Sequence, residues 1–322
     1  MSERVLYLRV DVDFNVGLKK GVPFLLDLFD RFGIEATFFL VMGPDTLFRH
    51  SSNVKQKSFR QRLRALNFLK ISRHLGLPYL KSRFLNQQVA LGHPQITRAI
   101  VQRGHEVAIH GYNHAAWAEQ CFDMSESQTR DHMDRAFRAF ASFFPEEPLT
   151  WGAPNWRCND FMFDYLDAKG VPYSSDTRGC VPFVPTDVRT THQTLQFPIT
   201  LPCLHELIQA GIPKASIPDT LVRCLRPNYN LFCIHDYYEG LLERDLFTSV
   251  VHRLHDEGIV LRPLKQAYTA TDRQNVSTST IQTVLVPGGA RPVSCQEEFL
   301  TCNYFDILAD TCRTISSGEK AS

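Results

Sequence analysis

The sequence predicts an α/β protein whose strands close into a (β/α) barrel, and three observations carry that expectation. One local pattern recurs along the chain: an amphipathic helical stretch, a glycine, then an apolar run. The runs VLYLRV, ATFFLV and NLFCIH are apolar almost throughout, which suits strands buried on both faces of a parallel sheet. Asp11 and Asp13, His110, Asp176 and His235 each end such a run or follow it by a few residues. Polar residues gathered at the carboxyl ends of several strands mark a barrel and favour it over an open, doubly wound sheet.

The elements follow in order. The opening run VLYLRV reads as the first strand. VPFLLDLFDRFG then places Val22, Leu25, Leu26 and Phe29 on one helical face, and Gly33 can end the helix in a left-handed cap. The strand IEATFFLV comes next. PQITRAIVQRG reaches Gly104 and gives way to HEVAIH. Ser125 and Gln128 form a capping-box pattern ahead of a helix whose apolar face is Met133, Ala136, Phe137 and Phe140. FMFDYLDAKG ends at Gly170 before VPYSSD, and LLERDLFTSVVHRLHDEG ends at Gly258 before IVLRPL.

Two regions break this rhythm. Residues 46–105 hold no Asp or Glu but twelve Lys and Arg, interleaved with Phe48, Phe59, Leu63, Leu66, Phe68, Leu69 and Leu75. A basic insertion spanning about 46–92 is either a solvated helical surface or one that docks on anionic lipid headgroups or a phosphorylated substrate. From 269 onward the chain turns polar: DRQNVSTSTIQT reads as a linker, and the segment after it has too few apolar residues to fold alone. The expected organisation is a barrel domain over 1–268, followed by a linker and tail over 269–322.

Composition narrows the partners. A net charge of +1 gives no global field that would favour nucleic acid. None of the nine cysteines forms a CxxC pair, so buried, reduced thiols are expected. The amino-terminal segment reads as a strand rather than a secretion signal, and no run approaches the roughly 18 apolar residues of a membrane span. A cytoplasmic protein, soluble or peripheral to the membrane, is the expectation.

The chemistry rests on two short motifs. In the DVD of residues 11–13, Asp11 and Asp13 point to the same side of an extended chain and repel unless a cation or proton intervenes. HGYNH supplies His110 and His114, which can converge on one ion either from a helix face or across a strand-to-loop turn. Two imidazoles and one carboxylate that leave a coordination position open form a catalytic metal site. A metal there would acidify bound water and polarise an acyl oxygen. Asp11 then stays free as general base, and His235, the remaining strand-end histidine, is the natural general acid. Zinc is the expected divalent ion, and the same donors suit manganese, cobalt or iron.

RVDVDF, RGHEVAIHGYNH and LFCIHD resemble the motifs of the polysaccharide deacetylase (NodB-homology, carbohydrate esterase 4) superfamily. The resemblance implies a distorted, seven-stranded (β/α) barrel and metal-dependent deacylation of an N-acylated sugar. It makes Asp11 the base, Asp13, His110 and His114 the metal ligands, and His235 the acid. GVPFLL, GPDTLFRH, LGHPQI, the HxxxHxxW of His110, His114 and Trp117, YSSDTRG, PFVP, PITLP and IHDYYEG are similar to a narrower group within it. These are deformylases of lipid-linked formamido sugars, working at the cytoplasmic face of the inner membrane. That similarity implies a formyl group as the target, a lipid-linked amino sugar as partner and contact with an anionic membrane surface. It also implies Asp176 beside His235, and Trp156, Tyr173, Arg178 and Glu239 as substrate contacts. The superfamily often carries an Arg-Pro pair after its fourth strand, where the arginine orients the base. Here Ala153-Pro154 stands in that place, and Arg157 is the candidate substitute.

Three other readings compete. Deacetylation of an N-acetylated amino sugar, polyprenyl-linked or polymeric, differs by one methyl. A metal-dependent glycosyltransferase could use DVD but leaves HGYNH unexplained. A non-catalytic sugar-lipid binder would be expected to lack one of Asp11, Asp13, His110, His114 or His235, and all five are present.

Overall fold

The computed structural model describes residues 4–46, 87–289 and 291–301. Most of the basic insertion, and the tail beyond 301, lie outside the described residues.

β1 (Arg4–Val12) is the hub. Its even positions Leu6, Leu8, Val10 and Val12 are buried apolar residues, while Arg9 and Asp11 occupy the opposite side of the same extended segment. It pairs in parallel with β2 (Thr37–Leu40) on one flank and β8 (Leu231–His235) on the other. From β2 the parallel sheet continues through β3 (Glu106–Ile109), β4 (Thr150–Trp151), β5 (Tyr173–Ser174) and β7 (Leu195–Gln196). That path of seven strands curls as the sequence predicts. An eighth, β9 (Ile259–Arg262), joins the amino-terminal half of β1. No ladder joins β7 to β8. The chain just after β7 bridges that gap, because the N–H groups of Thr200 and Leu201 donate to Leu231 O at 3.1 and 3.3 Å.

The helices wrap this sheet. α1 (Asn15–Phe32) begins earlier than its apolar periodicity suggests and ends as expected, at Gly33 with φ 62° and its N–H on Phe29 O. α2 (Pro94–Gln102) and α3 (His114–Gln120) flank β3. α4 (Glu126–Ala141) opens with the Ser125–Gln128 capping box and buries Met133, Ala136, Phe137 and Phe140. α5 (Asp160–Ala168), α6 (Leu204–Gln209), α7 (Ile217–Arg223), α8 (Arg244–Asp256) and α9 (Leu264–Ala270) complete the shell. Between β8 and α8, where the periodicity runs unbroken, residues Tyr238–Leu242 form one π-helical turn.

The stretch that reads as a linker is partly built into the barrel. β10 (Thr278–Ser279) pairs with β6 (Val184–Pro185), and β11 (Ile281–Val284) and β12 (Val293–Gln296) form an antiparallel hairpin. Arg178 N–H donates to Ser294 O at 2.9 Å, and Gln296 N–H returns to Arg178 O at 2.8 Å. Val286, Val293, Cys295 and Phe299 are buried. Backbone pairing, which composition does not record, holds a segment too polar to fold alone. The cysteine expectation also needs one correction. Cys121, Cys158, Cys203, Cys224, Cys233 and Cys295 are buried free thiols, whereas Cys180 is disulfide-bonded. Among the described residues no helix is long and apolar enough to cross a membrane.

Candidate metal and catalytic site

The polar strand ends meet on the carboxyl side of the sheet. Asp11 and Asp13 close β1, His110 follows β3, and His235 is the last residue of β8. Gly111, at φ 75°, turns the chain from His110 into α3, whose first residue is His114. The two imidazoles therefore converge across a strand-to-helix turn rather than along one helix face. Asn113 caps α3 by accepting from Ala116 N–H at 3.0 Å. His132 of α4 accepts from Tyr112 N–H at 2.9 Å, and burial pushes its pKa down to about 3, so it stays a neutral acceptor that pins the turn.

The Asp13 group shows what it lacks. His110 Nδ1 lies 2.7 Å from Gly152 O. A carbonyl only accepts, so Nδ1 carries the proton and Nε2 presents a lone pair. That Nε2 lies 3.3 Å from Asp13 Oδ1, and both atoms are buried with no hydrogen-bond partner among the described residues. His114 Nε2 stands 3.5 Å from the same oxygen. Burial above all pushes the pKa of His114 down to about 4, so it too is a neutral imidazole. Burial alone would raise Asp13, but His114 and His110 beside it hold it well below the usual carboxylate range. Lone pairs turned on one another in a dry site require a cation or proton between them. Donors about 2.1 Å from a tetrahedral ion lie roughly 3.4 Å apart, so this set fits a divalent metal.

Asp11 stands beside this group but is held differently. Arg9, two residues earlier on the same side of β1, grips both of its oxygens, Nε to Oδ1 at 2.6 Å and Nη2 to Oδ2 at 2.9 Å. Arg9 is itself fully buried, bonded to Ser175 O and lying 4.3 Å over the Phe39 ring. Burial raises the Asp11 carboxyl, but Arg9 and then His110 more than offset it, and the group stays ionised. Cys233 Sγ lies 3.5 Å from Asp11 Oδ2, so Asp11, Cys233 and His235 form a second cluster of potential ligands. Its thiol is pushed well up by burial, and the Asp11 oxygens already serve Arg9, so the Asp13 cluster fits an ion better.

His235 faces a ring of aromatic groups. The Trp156, His205 and Tyr237 rings lie 6.1, 5.4 and 5.7 Å from its own. Trp156 follows Asn155 with both residues at positive φ, 59° and 48°, an arrangement side chains adopt only under constraint. Its indole is buried and its Nε1 lacks a partner among the described residues. Sequence reading missed Arg9 and His205. Arg9 had a signal, since residues i and i+2 of a strand share a side. His205 had none, because α6 is brought to the site by a distant part of the sheet.

Five proposed site residues take other positions than expected. Arg157 does not approach Asp11: its guanidinium lies 4.0 Å over the Phe122 ring and donates to Ala118 O, so Arg9 takes the position expected of it. Asp176 accepts from Ala153 N–H at 2.7 Å and from Gln196 Nε2 at 3.0 Å, and none of these bonds reaches His235. Burial raises its carboxyl to about 6 against those hydrogen bonds. Tyr173 opens β5 at the amino end of the barrel, where its hydroxyl donates to Glu106 and its ring stacks on Tyr268, away from the carboxyl-end site. Arg178 is fully buried and ion-paired to Glu206 at 3.0 Å, lying under Trp156 at 5.1 Å rather than open to a ligand. Glu239, also fully buried, accepts the His235 backbone N–H at 2.7 Å, which turns it inward instead of toward a substrate.

Comparison with known proteins finds relatives over most of the chain. A family model described as polysaccharide deacetylase matches residues 2–174, more than half of the chain. A protein of Shewanella sediminis named "probable 4-deoxy-4-formamido-L-arabinose-phosphoundecaprenol deformylase" is 26% identical over 261 residues, covering 80% of this chain and 83% of its own length. A protein of the same name from Wigglesworthia glossinidia brevipalpis is 24% identical over 291 residues, covering 88% of this chain and all of its own. A polysaccharide deacetylase structure from Mycobacterium smegmatis superimposes with a TM-score of 0.54 at 15% identity, spanning 88% of this chain and 99% of that one, a likeness of fold. With its curled parallel sheet and its matched motifs, this chain belongs to the polysaccharide deacetylase family.

Proposed function

We propose that this protein is a metal-dependent hydrolase that removes the formyl group from a 4-formamido sugar carried on undecaprenyl phosphate. The family is one of hydrolases of amide C–N bonds, and relatives matching most of the chain bear the deformylase name. The observation that carries the reading is the pair of buried acceptors Asp13 Oδ1 and His110 Nε2, without partners among the described residues and 3.3 Å apart beside an Arg9-held Asp11.

Asp13, His110 and His114 would hold the ion, zinc first among the candidates. Such an ion supplies Lewis acidity toward the acyl oxygen and toward water. Asp11, ionised and oriented by Arg9, takes the proton of the attacking water. Each of its oxygens keeps a lone pair beyond the one Arg9 occupies. His235 gives a proton to the leaving nitrogen as the C–N bond breaks, so water and the amide become formate and a free amine. The rings of Trp156 and Tyr237 beside His235, and of Phe14 beside His114, would supply apolar surface around the reacting groups. Mass spectrometry of lipid-linked sugars after incubation with the protein tests the reading. A mass loss equal to CO reads formyl, a loss equal to ketene reads acetyl, and no loss from either overturns it. A pocket distinguishes the two acyl groups by only about 1–3 kcal/mol.

His110→Ala and His114→Ala are each expected to strip the metal, as read by elemental analysis of the purified protein; full occupancy in either would displace the site. Peripheral contact with an anionic membrane belongs to the same proposal, motivated by the absence of acidic residues from 46 to 105. Each Lys or Arg near such a surface contributes about 1 kcal/mol. Co-sedimentation with anionic vesicles is expected, weakened by salt and by reversing Lys55, Lys57 and Arg60 to Glu. Equal sedimentation with neutral vesicles would remove the membrane from the proposal.

A further inference from the structure

His235 Nδ1 is buried and has no hydrogen-bond partner among the described residues. Glu239 Oε2 lies 3.9 Å from it, and the other oxygen of that carboxylate, Oε1, is likewise buried and partnerless. Oε2 already accepts the His235 backbone N–H at 2.7 Å, so the carboxylate is anchored to the residue whose Nδ1 lacks a partner. A buried polar atom left in that state is costly unless it gains a proton or charge to share. The π-helical turn explains how Glu239 comes to be there. Such turns are rare and concentrate at functional sites, and this one is separated from β8 by two residues, returning Glu239 to the His235 backbone N–H. α1 locks it in place. A Cβ on Gly21 would stand 1.8 Å from Asp236 O, and one on Gly240 would stand 2.9 Å from Gly21 Cα, so the turn has no room to shift.

The titratable groups facing Glu239 are His235 on β8, Glu243 beyond the turn, Tyr237 and Tyr238 on the turn, and Cys203 at the start of α6. Only His235 can be a cation. Burial pushes the Glu239 carboxyl up to about 7, while His235 draws it down. We propose that Glu239 is the positioning residue for His235, taking the Nδ1 edge of the imidazole so that Nε2 is presented to the leaving nitrogen. The proton passes from Nε2 to that nitrogen as the C–N bond breaks, and Glu239 keeps the Nδ1 proton in place throughout. This rests on the amide-hydrolase reading.

The test uses the full chain and a water-soluble, short-chain phosphodiester of a 4-formamido sugar. Glu239→Gln preserves shape and an acceptor for the His235 N–H. It is expected to lower kcat about 10²-fold with little change in KM, and to move the alkaline limb of the kcat/KM profile to lower pH. Glu239→Asp is expected to recover part of both. A wild-type pH profile in the Gln variant, or lost activity with no displaced limb, overturns the proposal. A second measurement needs no turnover: carbon NMR titration of labelled glutamate, with Glu239 identified by its absence in Glu239→Gln. In His235→Gln the Glu239 midpoint is expected to rise by about half a pH unit or more, because its cationic neighbour is gone. An unchanged midpoint overturns the proposal. Failure of the wild type to hydrolyse the probe counts against the hydrolase reading alone, and the NMR result then decides the pair by itself.

Discussion

Asp11→Asn is expected to lower kcat/KM by about 10²–10⁴-fold while the protein keeps its metal, and Asp13→Asn is expected to lose both. The two carboxylates are two residues apart on one strand, yet their surroundings separate their roles. Asp13 Oδ1 has no hydrogen-bond partner among the described residues and faces both imidazoles, so its charge is the one an ion would use. Asp11 gives both oxygens to Arg9; asparagine keeps the size and one acceptor for Arg9, so the loss falls on the Arg9 pair and not on the Asp13 cluster. Metal analysis and steady-state kinetics on the two variants read the distinction. Equal metal loss in both would merge the two roles.

Arg9→Met is expected to destabilise the fold by about 3–5 kcal/mol, because it strands the Asp11 charge in a buried site. The wild-type pair is fully buried, with a bidentate grip and a further bond from Arg9 to Ser175 O. Arg9→Lys is expected to fare little better, since a point charge cannot hold both carboxylate oxygens. Adding Asp11→Asn to Arg9→Met removes the stranded charge, so the double variant is expected to be more stable than Arg9→Met alone. Urea denaturation of the four proteins measures the coupling. A loss below about 1 kcal/mol in Arg9→Met would place the pair among weak surface ion pairs, contrary to its burial.

The parts of this site legible in the sequence were those written in short spacings. DVD and HGYNH each bring two ligand types within one turn of chain, and the strand-end pattern of His235 tied them to a common face. What the sequence did not expose depended on where a residue falls along a strand or on irregular backbone. Tyr173 and Asp176 lie three residues apart in YSSD, yet one opens β5 at the amino end of the barrel and the other follows it at the carboxyl end. A motif match cannot tell those ends apart. Glu239 reads as a residue open to substrate because nothing in YYEGLL announces a π-helical turn. Arg157 was favoured over Arg9 because the resemblance pointed to the fourth strand, while the contact arises on the first. The hairpin of 281–296 was hidden for another reason: its hold on Arg178 is through backbone atoms, which carry no side-chain signature.

The place of β1 in the sheet governs how this chain must assemble. Its partners on either flank come from opposite ends of the sequence, with Arg9 to Val12 beside β2 and Tyr7 to Asp11 beside Leu231–His235. Contacts so distant in sequence close late and fold slowly. At about 5–20 residues per second of synthesis, β1 waits roughly 10–45 s before β8 leaves the ribosome. Through that interval the carboxylates of DVD face no imidazole of β8, and the edge of β1 that β8 will cover stands unpaired. An unpaired strand edge of this kind is prone to aggregate until β8 closes over it.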